Sequence, residues 1–218
     1  MVEGLFFIDV DEFLRPSAGW FADRKQTTAD QPKPAVSAIT QRWLSDATIG
    51  AVALNWAIYG SSGRAEPGDG LVIERFTRRA PQEFVVNRHA KAFVRVVSCE
   101  GPADNPHAMS LCSGRYVDVR GEDVAWDTSF GVQSGITTTV IWDVLRVDHF
   151  VIKSSSEFAI KRSRRNLLRA AHEWESFFVG HDRNDVEDPV PWELVDRTKD
   201  EMRKISSLVK SAKSPASP

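Results

Sequence analysis

The chain has 218 residues, 42% apolar and 27% charged, which is the composition of an ordinary globular fold: one sizeable domain, or one with an appendage. A net charge of -2 excludes an overall pull toward nucleic acid or membrane, and two cysteines, Cys99 and Cys112, are too few for a disulfide framework and match no metal spacing. No apolar run reaches membrane-spanning length, and the first residues lack the basic and long apolar segments of a signal peptide, so the expectation is a cytoplasmic, reducing compartment without a membrane span.

Leu5–Ile8 reads as an interior strand, apolar on both faces, running into the acids Asp9, Asp11 and Glu12. Pro16 and Gly19 mark a loop, and residues 23–34 are polar and mobile by composition. Val36, Ile39, Trp43 and Leu44 share one side of a helix over Ala35–Leu44. The apolar run 51–60 ends in the turn "GSSGR", and 70–76 is either a strand or the start of a helix. A strand follows at 91–97, a loop at 101–109, short strands and loops over 110–147, and a last strand at 144–150. Helices are expected at about 154–165 and 166–178, an acid-rich solvated connection at 182–201, and an amphipathic helix over Trp192–Lys210 behind Pro191; the tail "SAKSPASP" is disordered by composition. Strands alternating with helices predict an α/β fold.

Three constellations carry chemistry. On an extended strand Asp9 and Asp11 point to the same side, about 7 Å apart, and two carboxylates so close stay ionised when water or a cation lies between them. Hard oxygen ligands suit Mg2+ or Mn2+. An EF-hand fails, because its sixth and twelfth positions would be Leu14 and Trp20. The turn "YGSSGR" lacks P-loop spacing; it is either a tight turn using Gly60 and Gly63, or a loop whose amides and hydroxyls, Ser61 and Ser62 included, face a polyhydroxylated ligand beside Trp56 or Tyr59. In "DHFVIKSSSEFAIKRSRR", His149 ends a strand, Lys153, Glu157 and Lys161 share a helix face with Glu157 paired to lysine, and Ser154–Ser156 can cap the helix. A helix start beside lysine suits phosphate. Lys161, Arg162, Arg164, Arg165 and Arg169 could track a nucleic-acid backbone, but the patch is short and no nucleic-acid motif accompanies it.

The ordered blocks "FFIDVDEFL", "LNWAIYGSSG", "GLVIERF", "KAFVR", "PHAM" and "DHFVIKSSSEFAIKRSRR" resemble the family-2-type and family-92-type glycosyltransferases of the GT-A fold over residues 5–165. The resemblance implies a nucleotide-sugar donor, a saccharide or other hydroxyl acceptor, and Mn2+ or Mg2+. Asp9, Asp11 and His149 would hold the metal, with Asp9, Asp11, Lys153 and Lys161 on the donor diphosphate. Trp56, Tyr59, Gly60, Ser61, Ser62 and Gly63 would lie on the acceptor side, and Glu66 or Asp118 would act as the base. Asp148, Phe150 and Arg64 depart from the pattern, which has Asn, Tyr and His there. Domain boundaries are expected after residue 165, where a helical tail begins, and after 211. In a GT-A fold a nucleotide-binding βαβ unit of roughly a hundred residues precedes the D-x-D strand. Its absence from this sequence implies a truncated or miscalled start, a complementing N-terminal chain, or a non-catalytic remnant that binds a partner.

Overall fold

The computed structural model describes residues 3–17, 35–103, 107–131, 134–164 and 171–213, so the mobile stretch expected at 23–34, the tail at 214–218, Arg165 and Arg169 lie outside the described residues. In chain order the strands are β1 (Gly4–Phe6), β2 (Glu12–Pro16), β3 (Ile49–Ile58), β4 (Arg78–Arg79), β5 (Ala90–Arg95), β6 (Cys99–Pro102), β7 (Met109–Leu111), β8 (Arg115–Val117), β9 (Leu145–His149) and β10 (Val186–Glu187). The helices are α1 (Ala35–Leu44), α2 (Val72–Arg75), α3 (Ser155–Arg164), α4 (Ala171–His181) and α5 (Trp192–Lys213). The expected α/β class holds: the sheet is mixed and helices accompany it. No helix among the described residues is long and apolar enough to cross a membrane.

The chain divides into two units, 1–59 with 80–151, and 60–79 with 152–218. The sequence draws its boundary near residue 165 instead, because the return of 60–79 to the later helices is a long-range feature with no local signature.

The first unit is organised by β3. All ten residues of this strand are buried, as its unbroken apolar run requires. β5 pairs antiparallel along one side; β8 and β9 pair parallel along the other, β8 beside Ile49–Val52 and β9 beside Trp56–Ile58. The order is β1-β5-β3-β9-β2, with β8 branching from β3. Small side chains at Ala51, Ala53, Ala90 and Ala92 let Met109 and Tyr116 pack over them. Helix α1 forms where its apolar spacing predicts and buries Ile39 and Trp43, the latter against Phe93 with ring centroids 5.7 Å apart. The Arg95 guanidinium ends that helix: it donates to the carbonyls of Leu44 (3.0 Å) and Asp46 (2.8 Å), and to Ile49 at the start of β3 (2.9 Å).

β1 corrects the expectation of an interior strand. It stops at Phe6 and lies at the sheet edge, paired to β5 alone, and Leu5, Phe7 and Ile8 are 43%, 37% and 40% exposed. Apolar composition alone cannot tell a strand between two neighbours from one at an edge. β2, which the sequence reads as loop, pairs with β9 from Glu12↔His149 to Pro16↔Leu145; an edge strand tolerates Pro16. Between and beside them, buried Asp148 accepts from Arg15 (3.1 Å) and Arg146 (2.7 Å), and both guanidiniums also donate to the Tyr59 hydroxyl.

In the second unit, the segment 182–188 is ordered rather than solvated. Asp182 Oδ1 accepts from the Ser61 amide (2.7 Å), Asn184 Oδ1 from the Ser62 amide (2.7 Å), and β10 pairs with β4. Glu157 takes a bidentate pair from Arg75, 2.9 Å on each arm, instead of the expected lysine. Its pKa falls to about 2, chiefly through that guanidinium. Ser154 Oγ accepts from the Glu157 amide at 3.3 Å while the carboxylate accepts back from Ser154, a capping box ahead of α3 where the sequence predicts only a serine cap. Phe158, Trp174, Phe177 and Phe178 join α3 to α4.

Candidate functional site

The acids meet a histidine in the first unit. The chain leaves β1 at Phe6, turns through residues 7–11, and enters β2 at Glu12. Because Asp9 and Asp11 sit in this turn, strand alternation does not apply to them, and they diverge. The Asp9 carboxylate is 65% exposed and accepts from Lys91 Nζ at 2.9 Å. Asp11 is buried, and its carbonyl accepts from the Phe150 amide at 2.9 Å, which locks the turn to the end of β9. His149 is the last residue of β9, and its Nε2 lies 3.7 Å from Asp11 Oδ1.

Glu12, next in the chain, has no exposed side-chain surface. Its Oε2 accepts from the Asp9 amide at 2.8 Å and lies 3.6 Å from Lys91 Nζ; its Oε1 lies 3.8 Å from His149 Nδ1. Burial pushes its carboxyl up to about 7, against the opposing pull of the Asp9 amide and Lys91. Trp56 forms the floor, stacked on His89 at 4.9 Å, edge-on to His107 at 5.0 Å and tilted against His149 at 4.4 Å. Burial lowers the pKa of both His89 and His107, the latter to about 4, so both are neutral imidazoles near pH 7.

Glu12, Lys91, His89 and His107 are absent from the residues that sequence reasoning assigns to a site. Glu12 adjoins Asp11, and the pattern of a charged residue inside the apolar β5 run marks Lys91, which is only 3% exposed. His107 lies in the quoted block "PHAM" without having been given a role, and His89 carries no such signal, since Trp56 gathers the two from segments far apart in the chain.

The remaining predicted residues fall elsewhere or are otherwise engaged. Tyr59 is fully buried, stacked on Phe150 and bonded by Arg15 and Arg146; it is core rather than an exposed acceptor platform. The turn 60–63 belongs to the second unit. Its amides at Ser61, Ser62 and Gly63 bond to Asp182, Asn184 and Ser61 Oγ, and Ser62 Oγ accepts from Thr77 and Arg78. Those donors therefore do not face a ligand, and the tight-turn alternative describes them. A Cβ on Gly60 would stand 2.4 Å from Asn184 Oδ1, so the close approach demands glycine. Asp118 Oδ1 accepts from the amides of Arg120, Gly121 and Glu122, a turn-forming role. Glu66 lies on an exposed loop of the second unit; Lys153, at φ 60°, precedes α3, and Lys161 sits in its last turns.

The cation test falls on Asp11 and His149. Two cis ligands about 2.1 Å from one ion stand about 3 Å apart, so their 3.7 Å separation closes on a common ion with a small side-chain movement. The carboxylate suits Mg2+ or Mn2+, whereas an imidazole is the commoner ligand of Zn2+, Fe2+ or Ni2+. No group of three or more histidine, cysteine, aspartate or glutamate side chains is arranged to hold a metal among the described residues. Such an ion would draw its other ligands from water and substrate oxygens. Compared with known protein families and with curated proteins, the sequence matches none.

Proposed function

We propose that the chain carries a GT-A-type glycosyltransferase site that transfers a sugar from a nucleotide-sugar donor to a hydroxyl of a saccharide or other acceptor, with inversion. The observation that carries this reading is the meeting of Asp11 and His149, drawn from opposite ends of the sheet-forming sequence to within 3.7 Å. They would hold Mn2+ or Mg2+, which supplies positive charge against the departing nucleoside diphosphate. The Asp9 carboxylate is engaged by Lys91 at 2.9 Å, so Asp9 is assigned here to the donor side. Trp56, buried and packed against His149, supports that ring from below.

The experiment is thermal denaturation with Mn2+ and a panel of sugar nucleotides. A donor at a hundred times its Kd raises stability by about 2.7 kcal/mol, and Asp11→Ala abolishes the effect. A folded protein whose melting point no donor moves would overturn the reading. A second reading, a module that binds a partner without catalysis, is favoured by the exposed apolar residues Leu5, Phe7, Ile8 and Val10 along the β1 edge.

A further inference from the structure

We propose that the C-terminal half of α5 is a docking surface for an anionic lipid membrane, with the helix lying in the plane of the headgroups. From Met202 to its end at Lys213 the helix reads MRKISSLVKSAK: apolar residues at helical spacing, basic residues, serines and no acid. At 3.6 residues per turn, Met202, Ile205, Leu208 and Val209 share an arc of about 120°, with Arg203 and Lys204 outside it. Every residue from 201 to 209 is exposed, Ile205 by 60% and Leu208 by 67%.

The N-terminal half of the same helix differs on both counts. Val195 is buried there, and Lys199 donates to Glu74. Four acids, Glu193, Asp196, Asp200 and Glu201, outnumber two bases over residues 192–201. One half of α5 therefore packs on its own unit, while the other presents an apolar stripe beside positive charge. The chain's net charge of -2 conceals this segregation.

The charge selects the occupant. An apolar stripe, a basic polar face and modest overall hydropathy are the features of helices that lie at a membrane interface. α5 is not apolar enough to cross a bilayer, so it rests on the surface. Each base near an anionic surface strengthens binding about fivefold. Arg203 and Lys204 are bonded one turn back, to Asp200 and to Glu201 (2.7 Å), but exposed pairs of this kind hold weakly and yield to lipid phosphate. Glu201 stands on the apolar arc and closes the stripe at its N-terminal end. A second copy of the chain fits less well, because four side chains over about two turns fall short of the roughly 1,000 Å2 of a stable interface.

The test is co-sedimentation of the full chain with vesicles of phosphatidylcholine alone, and of phosphatidylcholine with about 30% phosphatidylglycerol. Binding to the anionic vesicles should be at least about tenfold tighter and should weaken as salt is raised. Ile205→Gln with Leu208→Gln preserves charge and helix propensity, and should abolish binding with the circular dichroism unchanged. Arg203→Gln with Lys204→Gln keeps the stripe and should weaken binding about ten- to thirtyfold. No binding to the anionic vesicles, equal binding to neutral ones, or binding undiminished by the Ile205 and Leu208 pair overturns the proposal. A concentration-dependent dimer that the same pair dissolves, without vesicle binding, would assign the stripe to a second copy and refute it as well. The transferase reading stands or falls separately, since no residue of its site lies on α5.

Discussion

Glu12 should make the protein less stable as the pH rises, and Glu12→Gln should relieve that cost. Burial lifts the folded-state pKa from 4.5 to about 7, in spite of the Asp9 amide and Lys91. The unfolded chain releases this proton near the ordinary value. Between the two the folded state binds more protons than the unfolded, so the contribution is fully present below 4.5 and lost as pH rises through about 7. At about 1.4 kcal/mol per pKa unit the whole swing is about 3 kcal/mol. Gln is uncharged throughout, and its carbonyl can keep the bond from the Asp9 amide. The two proteins should thus differ by under about 1 kcal/mol at pH 4, with the variant gaining about 3 kcal/mol on the parent by pH 8.5. Urea denaturation across that series measures it, and the titration of groups that do not interact with Glu12 cancels in the difference. A difference that stays flat with pH, or that moves against the variant at high pH, would show that Lys91 and the amide outweigh burial.

Two predictions concern the supports of each unit. Glu157→Gln should destabilise the second unit by about 2 kcal/mol near neutral pH, an amount discounted for partial exposure. Because the folded pKa is depressed from 4.5 to about 2, the loss should shrink as pH falls through that window, which hydrogen exchange on α3 can follow. Asp148→Asn leaves Arg15 and Arg146 facing a neutral amide at a site 1% exposed and should cost about 3 kcal/mol, read as a lowered urea midpoint; a loss under about 0.5 kcal/mol would mean that Tyr59 and water suffice for both guanidiniums.

Local patterns carried some of this architecture and long-range pairing carried the rest. α1 was legible because Val36, Ile39 and Trp43 repeat at helical spacing, and the serines at 154–156 announce the start of α3. β3 was legible as an apolar run bounded by a glycine turn. β2 was not, since "EFLRP" mixes charge and proline and becomes a strand only by pairing with β9. The segment after α4 looks solvated from its acids, yet Asp182 and Asn184 are bonded to the amides of the 60–63 turn; composition cannot reveal a partner more than a hundred residues away. Within the site, the resemblance led to Asp11 and His149. The alternation argument for Asp9 failed where the chain left the extended conformation after Phe6, and the Glu12–His149 opposition follows from a ladder register that neither segment encodes alone.

The claim on which the transferase account stands is that Asp11 and His149 hold one divalent ion. Pulsed electron paramagnetic resonance of bound Mn2+ reads a coordinated imidazole nitrogen directly. The account predicts a 14N coupling that disappears in His149→Ala, together with loss of Mn2+ binding in Asp11→Ala. Mn2+ bound without a nitrogen coupling, or bound equally well after either substitution, would contradict it.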